Sequence, residues 1–233
     1  MEEVCEKLLE LGYIRVESVS ISYPIVVHGV PGCGKSFICK ELAKDPKFKV
    51  QSFGVIPAGS LCGAVIHKAL TEPSGDFNVL DEYLGGKDFN LERFDLVLSD
   101  PYQSFKKPER AHFTSNITRR FGSQVCCLLN KLGFDIIPHP SLPAEQTLLI
   151  EGSLFKTELR GIIITFEPAV AELIRAHGLE PKHPCDVRGA EFEVVTFCTA
   201  HADLQEIVSP ELYISLTRAT KELRVLTNKF DES

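Results

Sequence analysis

The sequence predicts an α/β fold with mainly parallel sheets, divided into two parts. Three observations carry that expectation. Short β-branched runs alternate with amphipathic helical segments, and such alternation builds a parallel sheet covered on both faces. One of these runs leads directly into a glycine-rich loop that opens a helix, Gly29-Val30-Pro31-Gly32-Cys33-Gly34-Lys35-Ser36. Three prolines crowd the stretch Pro138-His139-Pro140-Ser141-Leu142-Pro143. Proline removes backbone donors and interrupts helix and sheet alike, so the expected division is 1–137 followed by 144–233.

The elements follow in order. Val4, Leu8 and Leu11 recur at helical spacing, so residues 2–11 read as a short amphipathic helix. Ile25, Val26 and Val27 form a strand that ends at Gly29. After Ser36, Ile38 and Leu42 stand four apart in a helical segment, Phe37 to Ala43. Further strands are expected at Lys49 to Phe53, Phe77 to Leu80 and Phe94 to Leu98. From Phe121 the apolar positions 121, 125, 128, 129 and 132 mark a helix with one buried face, and Gly133 is placed to close it. Beyond the prolines come strands at Thr147 to Ile150 and Gly161 to Phe166. A helix from Pro168 to His177 has Val170, Leu173, Ile174 and His177 on one face. Strand Glu193 to Phe197, helix Pro210 to Thr220 and strand Leu223 to Thr227 complete the series. Ser209 before Pro210 reads as an N-cap followed by the first helical position. This second half has no glycine-rich phosphate loop of its own.

Composition narrows the function classes. A formal net charge of −7 over 233 residues argues against a protein that coats nucleic acid by bulk positive charge, but leaves room for a local basic groove. No apolar run approaches the roughly 20 residues that span a bilayer. Glu2, Glu3, Glu6 and Glu10 make the N-terminus unlike a secretory leader. The eight cysteines, at 5, 33, 39, 62, 126, 127, 185 and 198, include no Cys-x-x-Cys pair. They read as buried or incidental thiols of a reducing compartment rather than a zinc site.

The loop Gly29–Ser36 fits G-x-x-x-x-G-K-[ST] in full. Its glycines let successive N–H groups turn toward phosphate oxygens, and the helix that follows presents its positive end. In such a loop Lys35 reaches the β- and γ-phosphates and Ser36 ligates Mg²⁺. Gly29, Val30, Pro31, Gly32, Cys33 and Gly34 supply the cradle. Asp81 and Glu82 end the apolar run Asn78-Val79-Leu80. There Asp81 would hold Mg²⁺ through its water shell and Glu82 would take a proton from the attacking water. Asp100-Pro101-Tyr102-Gln103 follows another strand. Gln103 could sense the γ-phosphate or orient water, and the same residues also suit a plain strand-end turn. Arg218 falls on the expected last helix. It is either a solvated arginine or a cation for the transferring phosphate. A small-molecule kinase with a phosphate loop is a competing reading, which would call for a mobile lid in place of a second strand-rich part.

The ordered set of Gly29–Ser36, Asp81-Glu82-Tyr83-Leu84, Ser99-Asp100-Pro101-Tyr102-Gln103, Arg120-Phe121-Gly122, Gly189-Ala190-Glu191-Phe192 and Leu216-Thr217-Arg218-Ala219 resembles the superfamily 1 helicases of positive-strand RNA viruses. It is most similar to the first triple gene block proteins of potexviruses and carlaviruses, a family of short helicase-like movement proteins. The resemblance runs from about residue 20 to 230. Ser99 stands where glycine is usual, and Arg188 where glutamine is usual.

The resemblance implies two RecA-like lobes with nucleotide in the cleft between them, ATP or another NTP with Mg²⁺ as cofactors, and hydrolysis coupled to single-stranded RNA. By it, Lys35, Glu82, Gln103, Arg120 and Arg218 become the catalytic set, with Arg119 and Arg120 left undivided, and Ser36 and Asp81 become the metal contacts. Arg188 to Thr196 becomes the segment that couples RNA to nucleotide state. Ser52-Phe53-Gly54 is a loose candidate for RNA contact. It further implies cell-to-cell transport of a viral genome and suppression of host RNA silencing. Its implied partners are viral RNA, other viral movement proteins, capsid protein and further copies of itself. Its implied location is the host cytoplasm, reaching plasmodesmata through partners, with no membrane span of its own. An interaction protein whose nucleotide site is structural is the alternative.

Overall fold

The computed structural model describes residues 2–56, 65–69, 73, 75–86, 90–143 and 146–229. Cys62, Ala144 and residues 230–233, named in the expectations above, lie outside the described residues. The chain forms two compact units, Met1–Ile117 and Thr118–Ser233.

The first unit opens with helix α1 (Glu2–Glu10) and strand β1 (Ile14–Arg15). Then come β2 (Ile25–Gly29), α2 (Lys35–Leu42), β3 (Phe48–Ser52), β4 (Ile66–Lys68), β5 (Phe77–Asp81), β6 (Leu96–Ser99) and β7 (Phe113–Ser115). The strands make one sheet in the order β1-β7-β2-β6-β5-β3-β4. Only β1 runs antiparallel to its neighbour; β2, β3, β4, β5, β6 and β7 are mutually parallel. Every residue of β2 is buried, which accounts for its continuous β-branched run in place of alternation. Val26, Leu80, Leu84, Phe94 and Val97 build a core cluster with Phe53 packed against it. Truncating a residue such as Leu80, fully buried there, costs about 2–5 kcal/mol.

The parallel arrangement matters because it brings the carboxyl ends of four strands to one edge, where α/β sheets bind ligands. His28 stands beside Ser99, Leu98 beside Asp81 and Asp81 beside Ser52. The strand expected at Lys49 to Phe53 occupies Phe48–Ser52, and the one expected from Phe94 starts at Leu96. β1, β4 and β7, each two or three residues long, are too short to show a period in sequence.

At the start of the second unit β8 (Ile117–Thr118) pairs with β9 (Ile137–Pro138), and α3 (Ser123–Lys131) lies between them in sequence. Next come β10 (Leu148–Ser153), β11 (Ile162–Ile164), α4 (Pro168–Ala176), β12 (Phe192–Cys198), α5 (Pro210–Leu216) and β13 (Ala219–Thr227). The sheet order is β10-β13-β12-β11, parallel throughout. Ile163, Val170, Ile174, Cys198 and Leu226 pack together beneath α4.

Two differences from the sequence reading have physical causes. The compact division comes at 117/118 rather than within the proline stretch. The buried face of α3, Val125, Cys126, Leu128 and Leu129, packs against β10 and α5, and Phe134 lies 4.7 Å, centroid to centroid, from Tyr213. The last helix also ends at Leu216, not Thr220. Thr217 Oγ1 donates back to Tyr213 O at 2.9 Å and to Ile214 O at 3.2 Å, and the chain enters β13 at Ala219. Arg218 therefore sits in the joint between α5 and β13, buried to 1% exposure, and is neither helical nor solvated.

Candidate functional site

The glycine loop joins β2 to α2 as its spacing requires. Gly34 is the N-cap of α2 with φ 107°, and no side chain caps the helix, so the first N–H groups are left available to an anion. Any other residue at that φ would be strained. Gly29 is fixed by crowding instead, since a Cβ there would meet Cys33 Sγ at 2.4 Å and Tyr13 Oη at 3.1 Å. Tyr13 Oη and Cys33 Sγ share a hydrogen bond of 3.0 Å. Lys35 is buried and donates through Nζ to Gly29 O at 2.5 Å and to Val30 O at 3.2 Å. Burial alone would push its ammonium down. Cys33, Asp100, Glu82 and Asp81 outweigh that and hold it above the usual lysine value. Ser36, one residue on, is exposed on the first turn of α2.

Asp81 ends β5, and burial followed by the adjacent Glu82 raises its carboxyl to about 7, against the opposing pull of Lys35 and Ser52. Ser52 Oγ donates to Asp81 Oδ2 at 3.2 Å. Asp81 Oδ1 is buried with no hydrogen-bond partner among the described residues. A buried carboxylate oxygen left without a partner and an exposed hydroxyl on the phosphate loop are both hard oxygen donors, the ligand type a divalent cation such as Mg²⁺ takes. Glu82 is buried and is the one non-glycine among the described residues with positive φ, 55°. Such a conformation costs on the order of 1–2 kcal/mol and marks functional positions.

Gln103 is buried, and its Nε2 donates to Asp100 Oδ2 at 3.1 Å. Asp100 Oδ1 also accepts from Tyr102 N at 3.0 Å, so this pair is rigidly built onto the end of β6. The first unit thus gathers Gly29–Ser36, Asp81, Glu82 and Gln103 at one sheet edge.

The second unit gathers the remaining candidates. Arg120 donates through Nη1 to Thr217 O at 2.9 Å and through Nη2 to Glu191 Oε1. Arg218 donates through Nε to Ile214 O at 3.1 Å, through Nη1 to Ala190 O at 3.4 Å and through Nη2 to Thr217 Oγ1 at 2.9 Å. Phe192 N returns a bond to Arg218 O at 3.0 Å. Three segments far apart in sequence therefore meet in one knot. Arg119 is exposed, while Arg120 is the partner of Thr217 and Glu191.

Sequence reasoning missed Tyr13, His28 and the link from Ser52 to Asp81. His28 Nε2 and Tyr83 Oη lie 2.8 Å apart, and Tyr83 Oη also accepts from Glu109 N at 3.0 Å. Aligning β3 with β5 end to end was the signal for Ser52; nothing local marks Tyr13. The RNA-contact candidate Ser52-Phe53-Gly54 lies against the acidic pair, with Phe53 packed on the core cluster.

A phosphate loop, an acidic strand end and a buried glutamine on one parallel sheet, followed by a second parallel α/β unit, define a RecA-like P-loop protein. Residues 25–227 match the family model of the viral superfamily 1 RNA helicase core domain, and the chain belongs to that family. It is similar to the movement and silencing protein TGBp1 of Apple stem pitting virus, 35% identical over 98% of this chain and 100% of the relative. The same-named protein of Potato virus X is 32% identical over 96% of this chain and 97% of its own. Among solved structures, an Arterivirus helicase, nonstructural protein 10 in complex with DNA, shares the fold with TM-score 0.59 at 19% identity. That alignment covers 89% of this chain and 61% of the helicase, so the chain spans about three fifths of that protein.

Proposed function

We propose that this protein is an NTP-hydrolysing, RNA-dependent motor of the TGBp1 kind, acting in movement of a plant-virus genome between host cells. The observation that carries the reading is the convergence of Gly29–Ser36, the buried Lys35, Asp81, Glu82 and Gln103 at the carboxyl ends of neighbouring parallel strands. In this reading the loop N–H groups and Lys35 bind the triphosphate of ATP or another NTP. Ser36 and Asp81 hold Mg²⁺, which when bound neutralises charge on the β- and γ-phosphates. Glu82 accepts the proton of the attacking water. Gln103, braced by Asp100, orients that water or senses the γ-phosphate. Arg218 and Arg120 are the cations of the second unit assigned to the transferring phosphate. RNA is held as a single strand, through phosphate contacts that weaken with salt.

The decisive experiment is NTP hydrolysis by the purified full chain with and without single-stranded RNA, beside Lys35→Ala. Turnover that RNA raises and that Lys35→Ala lowers by about 10²–10³ supports the reading. Turnover unaffected by either change refutes it. That these relatives are movement and silencing proteins supports suppression of host silencing as a second role. Suppression of silencing retained in a Lys35→Ala variant that no longer binds nucleotide would separate the two.

A further inference from the structure

Each open sheet has two edges, and exposed edges invite unwanted strand pairing unless they are blunted. Of the four edges of the two larger sheets, three are blunted. β1 and β4 are two and three residues long. β11 is closed by an isolated bridge from Ile164 to Lys182, with Lys182 N donating to Ile163 O at 2.8 Å and Thr165 N to Lys182 O at 3.2 Å. The fourth edge, β10, is six residues long and is managed differently.

Leu149 N donates to Gln124 Oε1 at 3.1 Å, away from β13, while Leu154 N donates to Thr227 O on β13 at 2.9 Å. Because backbone direction alternates along a strand, Leu149, Glu151 and Ser153 all turn their amides and carbonyls outward. Ser153 O is satisfied by Lys156 N and Thr157 N, but the backbone of Glu151 has no partner among the described residues. One glutamine side chain therefore stands in for a neighbouring strand.

The space beside this edge is a groove. Two depressions of about 470 and 540 Å³ share Leu128, Lys131 and Glu151, with α3 as one wall and β10 as the other. Leu128 and Leu149 give it an apolar stretch, and Lys131, Lys156 and Lys229 line its length. Neither Lys131 nor Lys229 forms an ion pair among the described residues. Of the two acids present, Asp203 is engaged as a cap on Gln205 N at 2.9 Å. The groove runs from Ser123, Gln124 and Leu149, near the amino end of β10, to Ser153, Thr227 and Lys229 at the carboxyl ends of β10 and β13.

We propose that the β10 edge is a docking site for an extended segment of a partner protein, added as a fifth strand. The segment carries an apolar side chain against Leu128 and Leu149 and acidic side chains toward Lys131 and Lys229. Main-chain bonds to Glu151 supply affinity and the alternating side chains supply specificity. A second copy of this chain is the poorer occupant. Two-fold pairing of β10 with itself centred on Glu151 would set two carboxylates directly opposite each other, which is destabilising.

The test uses the full chain and a fluorescein-labelled synthetic peptide that alternates valine with threonine and ends in a run of aspartates. Binding is followed by anisotropy, and amide hydrogen exchange locates it. The expected result is saturable binding that slows exchange at Leu149–Ser153. Glu151→Pro, which removes an outward edge N–H without touching the pairing to β13, should weaken it about tenfold or more. Lys131→Glu with Lys229→Glu should reverse the preference toward the same peptide ending in lysines, a readout that does not depend on the proline variant folding. Absence of binding, protection elsewhere, or unchanged preference in the charge-reversed variant would overturn the proposal. Sedimentation showing a dimer that Glu151→Pro dissolves would overturn the choice of occupant in favour of a second copy.

Discussion

Lys35 shows how a single residue couples stability to chemistry. Its ammonium is buried, yet the acids around it keep it charged, so the loop is poised for a polyanion before one arrives. Lys35→Ala should lower NTP turnover by about 10²–10³, the usual cost of one lost transition-state donor, measured as phosphate release. His28 supplies a pH signature at the same edge. Burial, and then Lys35, depress its imidazole from 6.5 to about 4. The unfolded chain takes up a proton near 6.5 and the folded chain only near 4. The stability it contributes is therefore complete above pH 6.5 and lost as pH falls toward 4, on the order of 2–3 kcal/mol. Urea midpoints at about pH 7.5 and 5 should fall less steeply with acid in His28→Gln than in the wild type. Lys35 and Asp81 were legible in the sequence because a loop motif and a strand end announce them. His28, Ser52 and Tyr13 were not, because their partners, Tyr83, Asp81 and Cys33, are brought to them by tertiary packing of segments distant in sequence.

At the level of elements, helix ends divide into those the sequence marks and those tertiary structure decides. Gly133 follows the last apolar position of α3 and takes φ +88°. Gly133 N bonds to Asn130 O at 3.0 Å and Phe134 N to Leu129 O at 3.0 Å, the paired bonds of a Schellman close. A Cβ there would meet nothing within 4 Å, so Gly133→Ala should cost only the backbone strain, about 1 kcal/mol, read as a lower urea midpoint with unchanged NTP turnover. The end of α5 carries no such mark. Leu216-Thr217-Arg218-Ala219 continues a helical pattern, and the turn into β13 is made by Thr217 bonding back to the helix while Arg218 ties the joint to Ala190. Because three of the Arg218 donors are spent on the second unit, Arg218→Ala should both slow turnover and lower unfolding free energy by roughly 2–4 kcal/mol, through acceptors left unpaired. Thermal unfolding of the same preparation separates the two effects.

For the whole molecule, the fold class was legible because strand and helix periods alternate for most of the chain, and a fully buried strand such as β2 advertises itself by composition. The division was harder to read. Proline marks where regular structure stops, not where packing stops, and the apolar face of α3 finds its cover on β10 and α5, later in the sequence. That difference can be tested with fragments. Residues 1–117 carry the loop, the acidic pair and Gln103; residues 118–233 carry Arg120 and Arg218. Cut at 117/118, the second fragment keeps Val125, Leu128 and Leu129 covered and should unfold cooperatively in urea. Cut between 137 and 144, it loses α3, uncovers β10 and α5, and should aggregate. The first fragment, 1–117, should still bind nucleotide with Mg²⁺ through Gly29–Ser36 and Asp81. Its turnover should fall by about 10³–10⁵, the usual worth of a missing arginine at a transferring phosphate. Calorimetric binding with near-absent hydrolysis is the expected pair of results. Hydrolysis by 1–117 at the rate of the full chain would remove Arg120 and Arg218 from the catalytic set and leave their knot a purely structural one.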